Sequence, residues 1–299
     1  MLKKQDEFIL EPKGAIKSMD ITEEQVKHLE NMAKRIRYDI VRMVGCGKTG
    51  HIGGSCSIAD VIAVLYFHKM KHDPKNPKLP DRDRIILSKG HSALVQYAAL
   101  AEAGYFPEAE LYNLKKLGAK LQGHPDMGRT PGIEANTGSL GQGLSIAAGM
   151  AAGAKLDKVG YKVYCIIGDG EIAEGQIWEA AMSAAFYKLD NLVVTLDFNH
   201  IQATGFVVDR FDTNPIAEKW KAFGWNVIEI DGHDVAEIVR AFDQADHTKD
   251  TPTMIIADTI KGKGIPFAEN NVAYHNGSMS HEEYEIACEL FLSTGGIKQ

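Results

Sequence analysis

Cysteine is scarce and carries no pattern. The four residues Cys46, Cys56, Cys165 and Cys288 form no CxxC pair, which excludes a disulfide-dense scaffold and the common zinc and redox spacings. Three of them stand among apolar or small neighbours, the setting of buried thiols, and a reducing cytoplasm is the compartment this usage predicts. Positive charge is in short supply as well. With 33 basic against 40 acidic residues the net charge is −7, so there is no diffuse positive field to hold a nucleic-acid backbone or an anionic membrane. Neither is expected as a partner, and any phosphate must be met locally. No apolar stretch reaches the ~18 residues that span a bilayer, and the amino-terminal Met1-Leu2-Lys3-Lys4-Gln5-Asp6-Glu7 turns polar at once, unlike an export signal. Internal repeats and low-complexity tracts are missing too.

What the chain does have is core-forming material. Of its 299 residues, 44% are hydrophobic and 24% charged, the composition of a folded globular protein, and the length admits one large α/β domain or two ordinary ones. Asp20-Ile21-Thr22-Glu23 offers an N-cap with an acid three positions on, opening a helix through about Val44 that Gly45 and Gly47 end. A second helix is expected from Ser57 to Met70. The proline-bearing segment from His72 to Arg84 reads as a surface loop.

From Arg84 onward, short β-branched or apolar runs alternate with helical stretches, the pattern of a parallel sheet covered on both faces. Strands are predicted at Ile85–Leu87, Lys162–Ile167, Leu192–Phe198, Asn226–Ile230 and Met254–Asp258. Helices are predicted at about 91–103, 108–117, 141–156, 175–187, 215–223 and 234–246. The fold class is therefore α/β, a doubly wound, mainly parallel sheet flanked by helices. One domain is expected over 1–299, with a helical extension over about 1–48. The glycine- and alanine-rich run from Gly138 to Ala154 reads as a helix whose small residues permit close packing, in the core or against a second chain.

The passage richest in chemistry is Val163-Tyr164-Cys165-Ile166-Ile167-Gly168-Asp169-Gly170-Glu171. A buried strand runs into glycines that let a ligand approach the backbone, and the following helix offers free N–H groups to an anion. Asp169 puts a negative charge into that phosphate-shaped turn, which is tolerable only with a cation between the two. About thirty positions later a second strand ends at Asn199-His200-Ile201-Gln202. A crossover helix between the strands makes them parallel, bringing Asp169 and Asn199 together at the carboxyl edge, where open α/β sheets bind ligands. One carboxylate, one amide oxygen and a backbone carbonyl are three hard ligands suited to magnesium, or to calcium or manganese.

Two other nucleotide-type readings compete. Gly47-Lys48-Thr49 mimics the end of a P-loop, but Arg42 stands where its first glycine belongs and a helix precedes it. Gly168-Asp169-Gly170-Glu171-Ile172-Ala173 fits G-x-G-x-x-A, with Asp190 about twenty residues on, so an NAD-binding dehydrogenase is the rival enzyme. Two acids in the phosphate turn argue against it.

The GDG turn followed by Asn199 resembles the thiamine diphosphate-binding motif, and the chain as a whole resembles the N-terminal part of a transketolase. The supporting segments are Thr49-Gly50-His51-Ile52-Gly53-Gly54, Ser88-Lys89-Gly90-His91-Ser92, Gly123-His124-Pro125, Thr137-Gly138-Ser139-Leu140-Gly141-Gln142-Gly143 and Lys261-Gly262-Lys263-Gly264. They occur in family order. The resemblance implies that Asp169, Asn199 and the Ile201 carbonyl hold the metal, that His91, Gly170 and Asn199 contact the diphosphate, and that Gly168 and Glu171 also belong to the cofactor site. Gly138 and Leu140 would border the aminopyrimidine. His51, His124 and His275 would face the thiazolium and the substrate as proton handlers, since neutral imidazole both donates and accepts. Lys261 would approach the diphosphate, unless Lys261 and Lys263 are simply a solvated pair. Glu174 and Glu179 are either solvated or, by the resemblance, part of a relay near a subunit interface.

Transketolases also need a pyrimidine-binding domain with a glutamate that protonates the cofactor ring. Only 22 residues follow Gly277, too few for one. The resemblance therefore implies the N-terminal subunit of a split enzyme, acting on sugar phosphates with a C-terminal partner in an α2β2 assembly. A chain that binds the cofactor without catalysis is the alternative. After His51 the chain reads Ile-Gly-Gly where many transketolases have proline-glycine, which leaves the sugar preference open.

Overall fold

A computed structural model describes residues 21–293. The expected N-cap, Asp20, lies outside these residues. The cap within them is Thr22, whose hydroxyl accepts from Gln25 N while the Gln25 side chain accepts from Thr22 N, a reciprocal box at the start of α1 (Glu23–Val44). The helix ends at Gly45, whose φ of +60° suits a residue without Cβ.

The sheet strands are β1 (Arg84–Leu87), β2 (Val163–Gly168), β3 (Leu192–Phe198), β6 (Asn226–Asp231) and β7 (Thr253–Asp258), in the order β1-β2-β3-β7-β6 with every pairing parallel. The intervening short strands β4 (Ile201–Gln202) and β5 (Gly205–Phe206) form a separate antiparallel hairpin. Because successive strand residues face opposite sides, the continuous apolar runs split into two cores. Tyr164, Ile166, Val193 and Ile255 face one layer, built from α1, α3 (Ala59–Val64), α4 (Ala93–Glu102), α9 (Val235–His247) and α10 (His281–Ser293). Cys165, Ile167, Val194 and Ile256 face the other, built from α5 (Gln142–Leu156), α6 (Gly175–Phe186) and α8 (Ile216–Ala222). Burying each such Ile or Val contributes roughly 1.5–3 kcal/mol. This is the doubly wound arrangement the alternation predicts.

Several details differ from expectation. The helix expected from Ser57 to Met70 starts earlier and is broken. It comprises α2 (Ile52–Ser57), a break at Ile58, α3, and a π-turn over Leu65–Lys69. Gly53 and Gly54 lie within α2 where no side chain fits: a Cβ would stand 2.9 Å from Tyr274 O and 2.8 Å from Ser92 Oγ respectively. Instead of a helix over 108–117 there is a 3₁₀ segment, Glu108–Asn113, because the chain turns left-handed at Lys115 (φ +60°) and Gly118 (φ +78°). The four-residue α7 (Val207–Arg210) and the long α10 have no counterpart among the expected elements. In α5, Leu144, Ala147, Ala151 and Ala154 pack against the sheet, while Gly149 and Leu156 are exposed. Two thiols rather than three are fully buried, Cys56 and Cys165; Cys288 is half-buried and Cys46 exposed. Among the described residues no helix is long and apolar enough to cross a membrane.

Candidate active site

The carboxyl ends of β1, β2, β3 and β7 open into one cavity of about 220 Å³. Its wall includes His51, His91, Gly138, Leu140, Gly168, Asp169, Gly170, Glu171, Asn199, Ile201, Lys261 and His275. Every residue expected to contact the cofactor is therefore brought to one place, from segments that run nearly the length of the sheet region. His124 is not part of that wall; it is exposed, its ring 6.1 Å from that of His51.

The adjacency of β2 and β3, with Gly168 beside Asp197, sets the acidic end of the cavity. Asp169 accepts Gly170 N at Oδ1 (2.7 Å) and His200 N at Oδ2 (2.5 Å). His200 is left-handed (φ +66°), and this kink turns the chain so that Asn199 and Ile201 O both line the cavity. Asn199 Nδ2 donates to Asp197 Oδ2 (2.8 Å), which commits its Oδ1 to the acceptor role. One charged and two neutral oxygens thus gather where hard cations are held. Among the described residues no group of three or more His, Cys, Asp or Glu is placed to bind a metal, in keeping with a set that contains one carboxylate only. Burial, and then the charge of Asp197, raises Asp169 to about 6. A cation there would offset that cost. The Ile201 carbonyl also accepts the Lys261 ammonium (2.6 Å), and burial followed by repulsion from Lys89 lowers Lys261 to about 8. Lys261 is thus a buried cation at the cavity, not one of a solvated pair; it is 2% exposed, whereas Lys263 is half-buried.

The same wall carries imidazoles. The His51 ring lies 5.1 Å from His91 and 5.6 Å from His275, and His91 lies 5.2 Å from His275. Burial first, then neighbouring positive charge, lowers His51 to about 4, His91 to about 2 and His275 to about 3, and lowers His124 as well. All four are neutral near pH 7. His275 Nδ1 is buried without a hydrogen-bond partner. Gly138, at φ +139°, lets the His124 ring come within 2.6 Å of where a Cβ would stand.

Glu171 fastens the site from inside. Its carboxylate accepts from Ser88 Oγ (2.5 Å), Gly141 N (2.9 Å) and Gly168 N (3.0 Å), tying the ends of β1 and β2 to the loop before α5. Though it borders the cavity, its two oxygens are engaged with protein donors. Glu174 and Glu179 are exposed, and Glu174 is the N-cap residue of α6, outside the cavity wall. Asp190, the acid a dinucleotide site would need at the carboxyl edge, instead precedes β3 at the opposite edge and pairs with Lys155 (2.8 Å). The NAD reading fails on that geometry.

Residues 28–291 match the family model described as transketolase, thiamine diphosphate binding domain. The chain belongs to this family. It is 47% identical over 264 residues to the 6-deoxy-6-sulfo-D-fructose transketolase subunit of a Clostridium species, covering 88% of this chain and 96% of that protein. It is 41% identical over 263 residues to one of the subunits of the apulose-4-phosphate transketolase of Phocaeicola vulgatus, covering 88% and 93%. The transketolase structure from Leishmania mexicana superposes with a TM-score of 0.84 at 33% identity, over 88% of this chain and 41% of that one. The chain therefore spans about two fifths of that transketolase chain and nearly all of each of the two subunits.

Within the transketolase fold, four residues of the site escape residue-by-residue reading: Lys89, Asp197, Gln202 and Gly54. Lys89 Nζ donates to Asp197 Oδ2 (2.5 Å) and Gly54 O (2.6 Å), both fully or nearly buried. In the sequence Lys89 and Gly54 stand out only as members of motifs. Asp197 is hidden because it sits within a strand, where the apolar run masks a charge. Gln202 lies against Gly170, within 3.1 Å of where its Cβ would be, and its place after Ile201 is the available signal.

Proposed function

We propose that this chain is the N-terminal subunit of a split transketolase that holds thiamine diphosphate through a divalent cation and works with a C-terminal partner. The observation that carries this reading is one cavity whose wall holds both a hard-oxygen set and neutral histidines. Asp169, Asn199 and the Ile201 carbonyl would hold magnesium, or calcium or manganese in its stead. Lys261, His91 and the glycine backbone of the GDG turn would meet the diphosphate, where buried cations and bare N–H groups face anionic oxygens. Gly138 and Leu140 would flank the aminopyrimidine.

Thiamine diphosphate, when bound, would supply a nucleophilic carbon and an electron sink for chemistry at a ketose carbonyl. The chain's own contribution is orientation and proton handling. His51, His124 and His275 stay neutral because burial and neighbouring positive charge disfavour the imidazolium, so each can donate to a developing alkoxide or accept from a hydroxyl. A two-carbon unit passes in this way from a ketose phosphate to an aldose phosphate. Glu174 is assigned to the joint between subunits, where its exposed position in the single chain would be covered. The whole chain forms one domain, paired with a pyrimidine-binding partner in an α2β2 assembly within the cytoplasm.

Calorimetry of the reconstituted pair decides the matter. Thiamine diphosphate uptake should require free magnesium and disappear with excess chelator, and the pair should convert xylulose 5-phosphate and ribose 5-phosphate to sedoheptulose 7-phosphate. Equal uptake with and without chelator refutes the metal bridge. Uptake without turnover of these sugars or of other ketose donors favours a chain that binds but does not catalyse.

A further inference from the structure

The segment that follows β7 delivers Lys261 to the cavity, and three consecutive residues fasten it. Thr259 Oγ1 donates to Asp197 Oδ1 (2.5 Å), and Lys261 Nζ reaches Ile201 O. Between them, Ile260 N donates to His233 Nε2 (2.9 Å). His233 belongs to the turn Asp231-Gly232-His233 between β6 and α9, outside the cavity wall. Gly232 brings this turn against the segment; a Cβ there would lie 2.4 Å from Thr259 Cγ2 and 2.9 Å from Asp258 O.

The partners of His233 dictate its protonation pattern. A backbone N–H can only donate, so Nε2 presents its lone pair to Ile260. The ring proton is then on Nδ1, and it is donated to Asp60 Oδ2 (2.8 Å). Asp60 is anchored in turn by Arg37 Nη1 (3.1 Å) and Nη2, and Arg37 Nε donates to Cys56 O (3.1 Å). Arg37, Asp60 and His233 are largely buried, their side chains 7%, 9% and 13% exposed. The chain of contacts runs from α1 through α3 to the residue before Lys261, and it works only with a neutral imidazole of one tautomer.

We infer that His233 is a positioning residue that sets Lys261 in the cofactor cavity by receiving the Ile260 amide, an inference that rests on reading the cavity as the diphosphate site. It touches neither substrate nor cofactor. The buried Arg37–Asp60 pair serves to fix its tautomer, and the loop it holds carries the ammonium.

The test uses three variants of the full chain. His233→Gln keeps an acceptor at the reach of Nε2, His233→Asn keeps a donor toward Asp60 only, and His233→Phe keeps neither. Hydrogen exchange of the segment 258–264 should rise about tenfold in His233→Phe and His233→Asn and stay within about threefold of the parent in His233→Gln. Thiamine diphosphate uptake by the magnesium-loaded pair should weaken about tenfold in the first two and no more than about threefold in the third. In a Lys261→Met background, His233→Phe should add less than about twofold, since the two act through one group. A merely structural role predicts additive losses. Additivity, or unchanged exchange in His233→Phe, overturns the inference. Should the parent pair take up no thiamine diphosphate, the reading of the cavity falls, while the exchange comparison still settles whether His233 holds the loop.

Discussion

Asp169 and Asp197 sit at the ends of neighbouring strands, both buried, yet their surroundings pull them in opposite directions. Burial pushes each toward the protonated form. At Asp197 four donors, Ser57 Oγ, Lys89 Nζ, Asn199 Nδ2 and Thr259 Oγ1, outweigh it and hold the carboxyl below its ordinary range. At Asp169 the charge of Lys261 and two backbone amides do not outweigh burial and the charge of Asp197, and the group rises to about 6. The first carboxylate is complete within the protein, and the second is short of positive charge on its open side. Such a shortfall marks a group kept for a ligand, whereas saturation marks a group that holds other groups still.

Breaking the saturated member should have the largest effect. Asp197→Ala leaves Lys89 buried and unpaired and should cost about 3–5 kcal/mol of stability, read by urea unfolding of the single chain. A loss below about 1 kcal/mol would contradict the account of this network. Asp169→Asn should cost far less, about 1 kcal/mol or under at pH 7, because the buried charge it removes offsets the one backbone amide left without an acceptor, while magnesium-dependent thiamine diphosphate uptake weakens roughly a hundredfold. If stability falls as far as in Asp197→Ala, the contrast between the two acids is wrong.

The pH dependence sharpens the same contrast. Folding raises Asp169 from 3.8 to about 6, so the folded state favours the protonated acid and this group destabilises increasingly as pH climbs from about 4 to 6. The stability of Asp169→Asn relative to the parent should rise over that interval by at most about 3 kcal/mol. The half-buried histidines act with opposite sign. His51, lowered from 6.5 to about 4, and His275, to about 3, support the fold above pH 6.5, and that support is lost as pH falls below it. Comparing His275→Gln with the parent should show a shallower acid decline of the melting temperature. The smallest effect is expected at Glu174, exposed in the single chain: Glu174→Gln should change its stability by less than about 0.5 kcal/mol, while lowering turnover of the assembled pair if that residue lies at the joint.

Much of this site is legible in the sequence because its signals are local. A glycine-flanked acid after an apolar run, and an asparagine after the next such run, specify strand ends, and parallel crossovers bring strand ends together. Lys89–Asp197 and His233–Ile260 are not legible, since each pairs groups remote in sequence and only the folded sheet, with β7 in register beside β3, makes them neighbours. The fold divides in the same way. Strands emerge from β-branched runs, whereas the β4–β5 hairpin, two residues a strand, is too short for any periodicity. The helix expected at 108–117 fails because Leu111, Leu114 and Leu117 have helical spacing, yet Leu117 is fully exposed beyond the left-handed turn at Lys115.

The strand order also carries a consequence for assembly on the ribosome. β7 is the last sheet strand to be synthesised but stands between β3 and the edge strand β6. Until it emerges, β6 has no neighbour to join, and neither Lys261 nor His275 has reached the cavity. A nascent chain halted before Thr253 would hold both acids and bind nothing, leaving an open β3 edge for chaperones to shield.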